Sequence, residues 1–214
     1  RSVEENIQPT DCLYLQPGDS CLATLEIENK GNFEDQFLIE VLSIPEFVSS
    51  VEIPLERITV PRFGAVTQDV IQITVDENAT AYTQGTVIFQ MKFEGGLEVK
   101  TYEVDVLVGP NVNWSFIDAD YEVDSTDTLS FSMRLRNGGN LNDGLIVLLR
   151  SSHSTAMGFN PPEGAIIEEG VEYPRTFEIE GLPRDSDFTL RGTADVPDNQ
   201  ITNGTLVLDI VIRS

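Results

Sequence analysis

Basic residues are scarce in this chain, and so are histidine, tryptophan and cysteine. Its 214 residues hold 13 Lys plus Arg against 36 Asp plus Glu, one His, one Trp and two Cys. Each shortage removes a class of function. At a formal net charge of −23, with acidic residues in excess in both halves, no positive stripe is left for a phosphate backbone, so nucleic acid is not an expected partner. Anionic lipid surfaces are disfavoured by the same sign. His153, in the small polar loop SSHSTAMG, has no second histidine to support it as a base, and no Gly-x-Ser-x-Gly elbow is present, so hydroxyl-based nucleophilic catalysis lacks its machinery. Two cysteines and one distant histidine do not supply the roughly four ligands of a structural zinc site. No apolar run approaches the about 18 residues needed to span a bilayer, and no charged-then-apolar signal segment opens the chain. Direct membrane insertion is therefore not expected, and an opening at Arg1 reads as a mature or excised fragment.

What is present is a repeat. Residues 25–43 read LEIENKGNFEDQFLIEVLS and residues 133–151 read MRLRNGGNLNDGLIVLLRS, so Asn29, Gly31, Asn32, Asp35 and Ser43 recur 108 positions later as Asn137, Gly139, Asn140, Asp143 and Ser151. In each copy an alternating strand enters Asn-x-Gly-Asn, whose residue types tolerate the positive φ of a tight turn, and a second alternating strand leaves it. That predicts a β-hairpin present twice. A period of this size fits a whole small domain, so we expect two domains, residues 1–109 and 110–214.

Cys12 and Cys21 flank LYLQPGDS, where Pro17-Gly18 marks a turn that brings the two thiols within bridging reach. Two cysteines with none left over favour a disulfide in an oxidising compartment, the other reading being two buried free thiols. Strand patterns follow at 51–53, 57–60, 69–75 and 86–93, with a last hairpin at Gly95-Gly96 leading into 97–108. Seven or eight short strands in the first half, with no helical period above four residues, together with the repeat predict an all-β chain of two tandem immunoglobulin-like β-sandwich domains of about seven strands each.

The succession PGDS, LEIENKGN, FLIEVLSIPEF and ITVPRFGAVTQDVIQITVDENATAYTQGTV is similar to the immunoglobulin-like domains that prokaryotes append to surface proteins and glycosidases. These are the cell-adhesion-related (CARDB-type) domain and the NEW-type domain that follows α-galactosidases. The likeness covers most of residues 12–108 and weakens beyond about 151. It implies an extracellular, non-catalytic module, possessed of no transferable binding residue.

Gly109, Pro110 and Asn111 break the last strand of the first half, and so short a linker predicts two sandwiches set end to end as a semi-rigid rod. Trp114 follows directly and is expected to pack at the joint or in the second core, with sugar stacking as the sharper alternative. Asp118, Asp120, Glu122 and Asp124 alternate with Ala119, Tyr121 and Val123, which sets four carboxylates on one strand face. A solvated face is the plain reading; calcium held by Asp118, Asp120 and Asp124, aided by Asp127 or Asp187, is the sharper one. Asn78, Asn113 and Asn203 each open an Asn-x-Ser/Thr glycosylation sequon in or beside a predicted loop. Residues 175–214 can be matched to 69–108 without gaps at an offset of 106, completing the second sandwich, or at 119, leaving it one strand short. The gapless match is preferred because it needs no insertion.

These features point to a structural and adhesive segment of a prokaryotic or archaeal cell-surface or filament protein, contacting another surface protein, glycans or itself, and carrying no enzyme activity. A carbohydrate-binding accessory module is the first alternative, with Trp114, Tyr82, Phe159 and Tyr173 as candidate platform aromatics. Self-assembly by donation of a strand to an incomplete second domain is the second.

Overall fold

A computed structural model describes residues 3–10, 12–53, 56–93, 99–151, 155–170, 174–196 and 207–213. Sixteen strands and no helix are found among them. The first nine are β1 (Val3–Thr10), β2 (Leu13–Leu15), β3 (Ser20–Asn29), β4 (Asp35–Ser43), β5 (Val48–Glu52), β6 (Arg57–Val60), β7 (Ala65–Val75), β8 (Gln84–Phe93) and β9 (Val99–Val108). Seven more follow: β10 (Trp114–Val123), β11 (Thr128–Asn137), β12 (Asp143–Ser151), β13 (Met157–Phe159), β14 (Thr176–Leu182), β15 (Ser186–Asp195) and β16 (Leu208–Arg213). The chain divides into two compact units, Arg1–Asn111 and Val112–Ser214.

In the first unit a four-stranded sheet, β1-β3-β7-β5, faces a five-stranded one, β2-β9-β8-β4-β6. The two-residue period of a strand decides what lies between them. Cys21, Ala23, Leu25 and Ile27 of β3 turn inward, as do Val87, Phe89, Met91 and Phe93 of β8 and Val104, Val106 and Val108 of β9. Cys12 and Cys21 are joined, with Cα atoms 5.2 Å apart. This bridge links β3 in one sheet to the segment opening β2 in the other, across the turn in which Asp19 N–H donates to the Gln16 carbonyl.

The second unit has a four-stranded sheet, β10-β11-β15-β13, and a three-stranded one, β14-β12-β16, with a separate core between them. At that core's centre Phe159 meets Phe131 and Phe177 edge to face. Both units route the chain alike, since the segment from β4 to β7 alternates between sheets at every strand and the segment from β12 to β15 does the same. They differ in how one core layer is filled. Ala23 faces Ile71 across the β3/β7 ladder, whereas the matching pair across β11/β15 is Phe131 and Gly192. Large and small residues have changed places, and a Cβ on Gly192 would stand 2.5 Å from the Phe131 ring and 2.7 Å from the Gly158 carbonyl oxygen.

Two expectations are corrected. The Asn-x-Gly-Asn segments are not hairpins, because β3 pairs with β1 and β7 while β4 pairs with β8 and β6, so each segment arches from one sheet to the other. A turn signature fixes that the chain reverses, not which sheet receives the next strand. Nor does the turn use the left-handed region, since the described positive-φ glycines are Gly18, Gly164, Gly170 and Gly181.

The second correction concerns the last strand. Val147 of β12 pairs with Ile212 of β16 where Ile39 of β4 pairs with Met91 of β8, so β16 stands in the place of β8, not of β9. The offset between units is 108 through the Asn-x-Gly repeat but 121 from β15 onward, as Ile73 and Ala194 show by facing Cys21 and Leu129. Extra residues between β12 and β15 shift the remainder of the chain, and the gapless match fails for that reason. Among the described residues the second unit has no counterpart of β9 or β2.

Candidate functional site: the open edge of the second sandwich

In the first unit the β8 edge is closed twice, by β9 antiparallel to it and by β2 parallel to β9. The equivalent strand of the second unit, β16, pairs with β12 on one side, and no described strand lies on the other. Its sequence, Leu-Asp-Ile-Val-Ile-Arg, alternates apart from Val211. Leu208, Ile210 and Ile212 pack against the core, yet all three are only half-buried. Between this row and β10/β11 opens an apolar cleft of about 580 Å³, lined among others by Tyr121, Val123, Leu129, Phe131 and Met133. Tyr121 is 81% exposed and Val123 51%. The corresponding layer of the first unit is filled by Val104, Val106 and Val108 and by the buried disulfide. A row of unpaired backbone groups beside half-covered apolar side chains is the arrangement that accepts an added strand.

Two carboxylates of the acidic row, Asp118 and Asp124, are taken up by other contacts. Asp118 accepts from Arg134 Nη2 at 2.6 Å, and Asp187 accepts from Arg136. Asp124 lies beyond the end of β10, in a turn. The Thr126 hydroxyl, followed by the Thr128 and Thr126 backbone N–H groups, holds its carboxyl below the usual carboxylate range. Asp120 and Glu122 are exposed on β10. Among the described residues no three acidic, histidine or cysteine side chains converge to hold a metal ion.

Of the sequons, Asn78 is exposed in the turn after β7, where its N–H donates to Asp76. Asn113 is exposed immediately before β10, its carbonyl accepting from Gly138 N–H. Asn203 lies outside the described residues, as do His153 and Tyr173. Of the candidate platform aromatics, Tyr82 is exposed and Trp114 is half-buried against the second core, its indole N–H donating to Asp143. Phe159 is not a surface residue: it is 0% exposed, because its ring fills the middle of the core.

The repeated motif has a role that turn statistics do not reveal. Asn29 and Asn137 are buried, at 2% and 1% exposed. The Asn29 amide donates to the carbonyls of Phe33 and Val60 while its oxygen accepts from Gly31 N–H. The Asn137 amide likewise donates to Leu141, Leu182 and Pro183 while its oxygen accepts from Gly139 N–H. Asp35 and Asp143 repeat too, each carboxylate accepting from the next residue's N–H. These contacts brace the arch and carry no chemistry. The open edge had a signal in the sequence, since the offset of 119 pairs Asn203-Gly-Thr with Gln84-Gly-Thr at the cost of an insertion.

No family model and no curated protein matches the chain. Among solved structures it is similar to a protein of unknown function from Porphyromonas gingivalis W83, at 12% identity and a TM-score of 0.32, over 91% of this chain and 84% of that one. It is also similar to the secreted serine protease VesC from Vibrio cholerae, at 10% identity and a TM-score of 0.29, over 94% of this chain and about half, 48%, of that one. At TM-scores this low neither likeness informs the fold or an activity.

Proposed function

We propose that this chain is a non-catalytic structural and contact module of an extracellular or cell-surface protein, and that its contacts are made by strand addition at β16. The observation that carries this reading is the difference between its two halves. One sandwich is closed by β9, β2 and a disulfide, and among the described residues the other presents the same layer uncovered. Buried disulfides persist outside the reducing cytosol, which agrees with a surface setting. Exposed apolar residues gathered beside a strand edge that no described strand covers mark an interaction site.

A synthetic peptide of residues 99–109, the strand that closes the first unit, tests this. Added in excess to the chain, it is expected to bind saturably and to raise the unfolding midpoint of the second unit alone, as a ligand of the native state must. A scrambled peptide of the same composition should do neither. Absence of binding by both would remove strand addition as the mode of contact.

A further inference from the structure

We infer that the strand taken up at this edge is β16 of a second copy of the chain, antiparallel and centred on Val211. This rests on the strand-acceptor reading above and names its partner. The first unit shows the direction required, since β9 runs antiparallel to β8 in the layer left open beside β16.

The sequence of β16 is complementary to itself in that direction. With Val211 opposite Val211 of the second copy, Ile210 faces Ile212, Ile212 faces Ile210, and Asp209 and Arg213 each face the opposite charge. Residues directly opposite one another share a face of the sheet. Ile210 and Ile212 pack on the core side of β16, so the second copy's isoleucines extend that apolar row into the cleft. In the first unit Tyr102 does this, opposite Phe89 and packed against the core. Asp209, Val211 and Arg213 alternate with them onto the other face, where Arg150 of β12 stands opposite Asp209. Along β16 itself Asp209 and Arg213 cancel, so the seam carries no net charge within a chain of net charge −23. The facing opposite charges offset part of the repulsion between two copies. The contact is isologous, so it closes after two copies and makes no filament by itself.

Charge exchange across the pair tests the register. Arg213→Asp leaves the Asp209–Arg150 pair untouched and places like charges opposite one another twice per dimer; Asp209→Arg does so with the other sign. By sedimentation velocity the unaltered chain is expected to dimerise with concentration, and each variant alone to dimerise roughly 10-fold or more weakly. An equimolar mixture of the two variants is expected to recover the dimer, because every facing pair is again opposite. A fold defect in either variant cannot be repaired by mixing. A chain monomeric throughout, or dimers indifferent to these changes, or a mixture no tighter than its components would overturn the proposal. In any of those outcomes, peptide 99–109 still binding at the edge would leave strand addition standing with a different partner.

Discussion

Phe159→Ala is expected to remove about 3–5 kcal/mol from the stability of the second unit, a large share of what a domain has. Phe159 is fully buried, and its ring makes edge contacts with both Phe131 and Phe177, which come from opposite sheets. Truncation opens a cavity between them. It does so in the unit whose described residues leave one side of the core uncovered. The first unit has its own separate core, so its unfolding transition should not move. Calorimetry with two resolved transitions would show one displaced and one unchanged. Equal displacement of both would mean that the two cores are not independent.

Asn137→Ala is the second large effect, at about 2–4 kcal/mol in the same unit. The carboxamide donates to the carbonyls of Leu141, Leu182 and Pro183 and accepts from Gly139 N–H. Removing it leaves one buried and three partly buried backbone groups without their partner, and a hydrogen bond left unmade away from water costs more than a made one contributes. Asn137→Gly separates this role from turn geometry. If the residue served only the local backbone conformation, glycine would be nearly neutral; the hydrogen bonds require it to be as damaging as alanine. Asn137→Asp should also fail, since a carboxylate keeps the bond from Gly139 but cannot donate to three carbonyls. Chemical denaturation of the three variants decides between these readings.

The all-strand character was legible because alternation is a direct imprint of the pleat, and β3, β8 and β9 carry it without interruption. The thiol pair was legible because Pro17-Gly18 leaves Cys12 and Cys21 little room to separate. The arch at Asn29 and Asn137 was not legible as an arch: the same residues close a hairpin when their strands share a ladder, and the destination sheet is set by distant strands. Phe159 was misplaced because its strand, Met157–Phe159, is only three residues long. A single period cannot show which face is buried, and the Asn-Pro that follows reads as loop. The open edge stayed hidden behind an assumption of economy. An insertion between β12 and β15 slides β16 into the place of β8, and nothing in the alternation of Leu208–Arg213 distinguishes an inner strand from a closing one.

Amide hydrogen exchange along β16, measured on Arg213→Asp held at a concentration where it is monomeric, tests the open edge most directly. Among the described residues only the N–H groups turned toward β12 have a partner, so slow and fast exchange should alternate residue by residue from Leu208 to Arg213. Along β8, which is paired on both sides, protection should be continuous. Continuous protection of β16 in the monomer would show that a strand already lies beside it, and the account of an unclosed second sandwich would be wrong.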